Sequence, residues 1–191
     1  MANYCFNTIT VEGKKKQMLK FLDKLDLVED EISREGKLTN FYPMPEILND
    51  VQEGYNGQTK SHYWWKDTLE PLNLNDIIEL SAQFGHFSWY NWAIENWGTK
   101  HGDYDISRTA LTENKAKNNW VVVIGCESKW SPPAPLLQRI SREYDLDIKV
   151  DWNEEGGQFG QFIFDKGNCI FEKTSFNSWY NDNDIEGDLN E

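Results

Sequence analysis

The stretch N-W-V-V-V-I-G-C-E-S-K-W-S-P-P-A-P-L-L-Q-R-I-S-R-E-Y-D-L-D-I-K-V-D-W, residues 119–152, decides the fold. Trp120-Val121-Val122-Val123-Ile124 is a short β-branched run suited to a central strand covered on both sides. Ser131-Pro132-Pro133 reads as a helix start, with Ser131 as the cap and Pro132 in the first turn. Leu136, Leu137, Ile140 and Tyr144 then fall at helical spacing. Ile148-Lys149-Val150-Asp151-Trp152 alternates apolar and polar, as a strand does. This half of the chain is strand, helix, strand.

Working outward, Gln158 to Phe164 and Cys169 to Lys173 read as a hairpin across Asp165-Lys166-Gly167-Asn168. Gly156-Gly157 with Gly160 reads as a turn and bulge feeding it. Tyr104 to Leu111 is a strand candidate that pairs with Trp120–Cys126. At the start, Tyr4 to Val11 alternates, with Cys5, Ile9 and Val11 on one side and Tyr4, Phe6, Thr8 and Thr10 on the other. Gly13 ends it, and Met18, Phe21, Leu22, Leu25 and Val28 mark an amphipathic helix. The order is strand, helix, insertion, strand, strand, helix, strand, hairpin. It predicts an α+β fold, a ferredoxin-like βαββαβ antiparallel sheet with a C-terminal hairpin. The aromatic-rich insertion spans about 40–102, with helices expected at Asn75–Leu80 and around Ser88–Glu95. Residues 1–174 then form one domain, and 175–191 an acidic tail without order of its own.

The chain has 191 residues and a formal net charge of −13. Residues 1–39 are neutral, 40–102 carry −5, 103–174 carry −3 and 175–191 carry −5. General phosphate-backbone binding needs Lys and Arg, so this balance argues against it. No apolar run approaches the ~18 residues of a membrane span, and the N-terminus lacks a signal-peptide pattern. Three scattered cysteines do not make a disulfide framework. The expectation is a soluble cytoplasmic protein.

Several blocks together resemble one family: Asn3-Tyr4-Cys5-Phe6-Asn7 with Val11-Glu12-Gly13, Phe41-Tyr42-Pro43-Met44-Pro45-Glu46, and Trp89-Tyr90-Asn91-Trp92 running into Glu95-Asn96-Trp97-Gly98-Thr99-Lys100. Trp130-Ser131-Pro132-Pro133-Ala134-Pro135 and Glu154-Glu155-Gly156-Gly157-Gln158-Phe159-Gly160 complete them. From about residue 3 to 165 the chain resembles the YubB-type ferredoxin-like proteins of bacteriophages and conjugative plasmids. The resemblance implies a fold and a mobile-element setting, without an established chemistry. His101 stands where that pattern often has another Trp, and the acidic end from Ser175 has no counterpart in it.

Chemistry-bearing motifs are sparse. There is no Cys-x-x-Cys and no His pair three or four apart, so no metal or other cofactor is expected. His62, His86 and His101 read as surface or packing residues. Asp182-Asn183-Asp184-Ile185-Glu186-Gly187 matches only the first six positions of a calcium loop and is read as acidic low complexity. Cys5, Cys126 and Cys169 lie in apolar strands, where a buried thiol is inert. Neighbouring acids such as Asp103 and Asp105, or Glu154 and Glu155, are weak signals of acid–base chemistry. No Gly-x-Ser-x-Gly or phosphate-cradling loop occurs. No enzyme is expected.

Ferredoxin-like sheets also host modules that stack single-stranded bases on strand aromatics, which Tyr4 and Phe6 could supply. The Trp120 strand lacks the matching basic, glycine-aromatic pattern, and the one basic cluster, Lys14-Lys15-Lys16, sits at a helix start. The favoured reading is an acidic binding protein that occludes a host protein with a basic surface, such as a restriction or CRISPR-type nuclease. Its carboxylates would stand where phosphates would sit. The alternatives are the single-stranded nucleic-acid module and an accessory protein that is acidic only for solubility. The expected partner-binding residues are Glu46, Asp50, Glu53, Asp67 and Glu70, with Tyr63, Trp64 and Trp65. Trp89, Trp92, Asn96, Trp97, Gly98 and Lys100 are read as a structural hinge between insertion and sheet. The competing reading has Trp89, Trp92 and Trp97 covering the open face of the sheet, like most rings in a core.

Overall fold

A computed structural model describes residues 3–34, 37–49, 51–53, 59–61 and 73–176. In chain order the elements are β1 (Tyr4–Gly13), α1 (Lys15–Leu25), β2 (Ile32–Ser33), a 3-10 turn (Leu38–Phe41), α2 (Glu46–Asn49), β3 (Val51–Glu53), β4 (Thr59–Ser61), α3 (Leu74–Phe84) and α4 (Trp89–Trp97). Then follow β5 (Tyr104–Arg108), β6 (Thr112–Asn114), β7 (Asn119–Lys129), α5 (Ala134–Tyr144), β8 (Asp147–Glu154), β9 (Gln158–Asp165) and β10 (Asn168–Phe176).

The main sheet runs β10-β9-β8-β1-β7-β5-β2, with β6 beside β7. Its centre, β8-β1-β7-β5, is the ferredoxin-like arrangement: β1 pairs antiparallel with both β7 and β8, and β7 separates β1 from β5. The fold is therefore α+β and ferredoxin-like, as the element order predicts. The hairpin β9–β10 widens the sheet beyond β8. Lys166 (φ 47°) and Gly167 (φ 91°) form its two-residue turn, both left-handed as the twist of a tight hairpin requires.

Both α1 and α5 pack on one face. Cys5, Ile9 and Val11 of β1, Val122 and Ile124 of β7, and Ile148 and Val150 of β8 meet Met18, Phe21 and Leu25 of α1 and Leu136, Leu137 and Ile140 of α5. Phe21 stacks on Phe41 at 5.3 Å, and Phe41 meets Tyr144 edge-on at 5.2 Å. That ties the first turn of the insertion to both helices. Such side chains stabilise by about 1.5–3 kcal/mol each when fully buried.

Local chemistry revises several sequence expectations. Helix α1 ends at Leu25, where Asp26 turns left-handed (φ 49°) and its N–H bonds to Leu22 O. Val28 thus lies beyond the helix and is exposed, while Leu27 takes the buried place. Ser131 is not the cap of α5. Pro133 stands at the cap position, because a residue before proline is held extended and Ser131 and Pro132 both precede one. The Ser131 hydroxyl instead donates to Gly98 O at 2.5 Å. Strand β7 is central but, among the described residues, covered on one side only, its residues alternating between buried and half-buried. The bulge falls at Cys169/Phe171 of β10 rather than at Gly160. A Cβ on Gly160 would stand 2.1 Å from Lys173 O and 3.0 Å from the Trp152 ring, so close packing is what requires glycine there.

The insertion has its own small core of Leu48, Val51, Leu80 and Trp92. Helix α3 begins with a capping box, Asn73 accepting from Asp76 N and Asp76 from Asn73 N. It extends past the expected Asn75–Leu80 to Phe84, while α4 falls where a helix was expected; α2 and the β3–β4 pair are additions. Strand β10 carries order through Phe176, two residues into the segment expected to be tail; residues 177–191 lie outside the described residues.

Candidate functional site

Among the described residues, the face of the sheet opposite α1 and α5 carries no helix, and its side chains can be read across the strands in rows. Glu127, Phe6, Asn153 and Phe159 form one row. Ser107, Gly125, Thr8, Asp151 and Gln161 form the next. Val123, Thr10, Lys149 and Ile163 follow, then Val121, Glu12, Asp147 and Asp165. Strand β5 adds Asp105, which adopts a left-handed φ of 43° within a register shift between Tyr104 and Ser107. A bulge of this kind re-aims a side chain: Ile106 stays in the core while Asp105 is exposed.

Gly125, Thr8 and Ser107 are small, so a trough of about 680 Å³ opens between taller neighbours. Phe6, Phe159, Asp105, Glu127, Asp151 and Asn153 stand around it. Trp152 and Gly160 also line it, and the buried Trp152 indole N–H has no partner among the described residues.

The carboxylates of this face differ in state. Asp151 accepts from Lys149 at 2.8 Å and from Gln161 at 2.5 Å. Burial alone would raise its pKa, but these two hydrogen bonds and the Lys149 charge outweigh burial and hold it below the usual value. Asp147 goes the other way: burial raises it first, then the charge and hydrogen bond of Asp165 beside it. The carboxylates of Asp105 and Glu127 form no hydrogen bond or ion pair with the described residues.

One corner of the face is aromatic and cationic. Lys129 lies 3.0 Å from the Tyr4 ring centroid and 5.7 Å from that of Tyr104, and Lys100 lies 4.9 Å from Trp130. Trp89 stacks on His101 at 5.1 Å, so an imidazole fills the place where the resembled pattern often has Trp. Burial, then the charges of Lys100 and Lys129, lower the His101 pKa.

Of the partner-binding residues expected from sequence, Glu46 opens α2 and is exposed, and Glu53 ends β3. Asp50, Tyr63, Trp64, Trp65, Asp67 and Glu70 lie outside the described residues, as does His62. Most of the expected surface thus falls outside the described residues. In the Trp89–Lys100 block, Trp92 is buried in the insertion core and Trp97 donates its indole N–H to Tyr42 O at 2.8 Å. The Asn96 amide donates to Trp92 O within α4. Gly98 (φ 82°) ends the helix where a Cβ would stand 2.3 Å from Pro135 Cδ. Thr99 bonds Lys129 O and N at the end of β7. Trp92 and Trp97 do not cover the open face of the sheet but pack into the cores, while Trp89 stacks on His101.

Other residues acquire roles that spacing did not reveal. Asp103, read with Asp105 as a weak acidic pair, is buried. It accepts N–H groups of Lys37, Leu38 and Thr39 at 2.6, 2.9 and 3.1 Å, fixing the insertion to the start of β5. Asn7, buried in β1, donates to Cys5 O, Cys126 O and Ser128 Oγ. Lys14 donates to Asn118 O and Lys15 lies over Trp120, so two of the three clustered lysines brace the β6–β7 turn. His86 contacts Glu95. Cys5 and Cys126 are buried, and burial pushes the Cys5 thiol to about 12 and that of Cys126 well up. Cys169, expected to be buried too, is exposed, on β10, the last strand in the order of the sheet. No group of three or more His, Cys, Asp or Glu able to hold a metal occurs among the described residues. No described helix is long and apolar enough to cross a membrane.

The fold and the uncovered face define a ferredoxin-like α+β protein with an open, carboxylate-bearing sheet. Residues 103–186 match the family model described as the ferredoxin-like domain in Api92-like protein. That match runs into the acidic end, beyond residue 165, where the resemblance read from sequence stopped. Among solved structures, the chain is similar to the crystal structure of protein api92 from Yersinia pseudotuberculosis. The identity is 10%, the TM-score 0.46, and the match covers 94% of this chain and 100% of that one. No curated protein matches the chain.

Proposed function

We propose that this chain is a non-enzymatic acidic binding protein of a phage or related mobile element, acting in the host cytoplasm. It occludes a host protein with a basic surface, such as a restriction or CRISPR-type nuclease. The observation that carries the reading is the charge of the uncovered face. Glu12, Asp105, Glu127, Asp147, Asp151 and Asp165 stand there with Lys129 and Lys149. In a chain of net charge −13, such a face attracts a basic surface from a distance and repels phosphates. The exposed acid Glu46 and the other acids of the insertion, Asp50, Glu53, Asp67 and Glu70, add to the same field. The mobile-element setting rests on the resemblance to YubB-type proteins.

Affinity purification of the full chain from a bacterial host tests this reading. A basic nuclease or DNA-binding protein should be retained at low salt, released as salt rises, and prevented by this chain from binding its nucleic acid. A purification that retains no such protein overturns the reading. A second reading, a single-stranded nucleic-acid module, is favoured by the exposed rings of Tyr4 and Phe6 on β1. Against it, their β7 register partners are Lys129 and Glu127, so β7 offers no ring beside them. Titration with labelled single-stranded RNA and DNA separates the two: a shift at micromolar protein supports the second reading and counts against the first.

A further inference from the structure

We propose that the trough on the uncovered face holds an arginine side chain from an extended segment of the partner protein. This rests on the binding reading above and assigns its contact residues and its ligand chemistry. The trough, about 680 Å³, has the volume of a side-chain or small-ligand site rather than of a domain interface. Its two sides are not equivalent. On the β8 side, Asp151 is already satisfied by Lys149 and Gln161. On the β5–β7 side, the carboxylates of Asp105 and Glu127 accept from no described residue, and they are the open carboxylates of the trough.

Phe6 is 42% exposed and directly beside Glu127 in register, so ring and carboxylate present themselves together. A guanidinium suits this pair better than an ammonium. Its planar fork donates two parallel hydrogen bonds to one carboxylate while its face stacks on an aromatic ring. A lysine head group is a compact, strongly hydrated point charge and gains less from either contact. The floor supports the same ligand: Gly125 leaves the space open, and the hydroxyls of Thr8 and Ser107 add acceptors beside it. Phosphates and carboxylates are repelled by the same groups, so the occupant carries positive charge.

The test is calorimetric titration of the full chain with a capped peptide of alternating Arg and Gly, and with its Lys-for-Arg counterpart, at moderate salt. The Arg peptide should bind at least about fivefold more tightly than the Lys peptide. Joint substitution Asp105→Asn with Glu127→Gln should weaken it about tenfold or more. The charge-matched pair Glu29→Gln with Glu113→Gln, exposed and away from the trough, should change it less than about twofold. Gly125→Val fills the trough and should remove binding; a Cβ there meets only Ser107 Oγ at 3.5 Å, an ordinary contact, and an unchanged Tm checks that the fold is kept. Equal weakening by the two charge pairs, or equal binding of the two peptides, overturns the proposal. A host partner still bound fully by the Asp105→Asn, Glu127→Gln protein overturns this inference and leaves the occlusion reading standing. An Arg preference that depends on the trough, in a chain that retains no host partner, does the reverse.

Discussion

The two faces of one sheet share every strand, yet they follow different rules. On the helix side, Cys5, Ile9, Val11, Val122, Ile124, Ile148 and Val150 are sealed by α1 and α5. On the other side, one residue along each strand, stand Phe6, Thr8, Gly125, Glu127 and Asp151, partly in water. The alternation of a strand lets a single segment encode both. Stability is concentrated on one face, which leaves the other free to vary in chemistry at little energetic cost.

That comparison can be broken in a definite order of effect. The largest contrast is in thiol reactivity. In native protein one thiol, Cys169, should react rapidly with a disulfide reagent, while Cys5 and Cys126 react only on unfolding, since burial suppresses their thiolates. Rapid labelling of all three would mean that the helices do not seal the face. Next, Phe21→Ala, which empties space shared with Phe41 and Tyr144, should cost about 3–5 kcal/mol in denaturant unfolding.

A smaller loss belongs to the junction with the insertion. Asp103→Ala leaves three backbone N–H groups without their acceptor, and each buried one costs ~1–3 kcal/mol, so a loss of about 3 kcal/mol is expected. On the uncovered face, Asp105→Asn with Glu127→Gln should change stability by less than about 0.5 kcal/mol, as surface substitutions usually do. A loss as large as that of Phe21→Ala would show that the open face is structural.

The smallest effect is in pH dependence, and it has opposite sign at two aspartates of β8. Asp147 has a folded pKa above 3.8, so its contribution is fully present below 3.8 and is lost as pH rises through the raised value. Asp147→Asn should therefore raise the Tm at neutral pH and lose that gain in acid. Asp151 has a folded pKa below 3.8, so its contribution is present above 3.8 and is lost as pH falls. Asp151→Asn should lower the Tm at neutral pH and converge with wild type in acid. Thermal melts between about pH 3 and about pH 7 separate the two signs.

Much of the fold was legible because it follows from local periodicity. The alternation of Tyr4 to Val11 and of Ile148 to Trp152, the stripes on α1 and α5, and the Lys166-Gly167 turn each need only neighbouring residues to be read. The misses share a cause. Ser131 has the residue type of a cap, but the consecutive prolines delay the helix and send its hydroxyl to Gly98. Cys169 has the apolar context of a core residue, yet its strand ends up at the sheet edge. The candidate site was the least legible part. Charge and aromatic density pointed to the insertion, most of whose expected residues lie outside the described ones, while the trough draws two or three residues from each of five strands, β5, β7, β1, β8 and β9.

What the sequence by itself determined is the element order, and with it the ferredoxin-like class, because periodicity and turn chemistry act within a few residues. It also determined the excess of negative charge. Only the tertiary structure decided which side of the sheet α1 and α5 cover, and that Asp103 is buried among backbone donors while Asp105, two residues on, faces water. It likewise decided that Phe6, Glu127 and Asp151 stand together. The reason is strand pairing: register between segments more than a hundred residues apart sets which side chains become neighbours, and no local property of the chain contains that information.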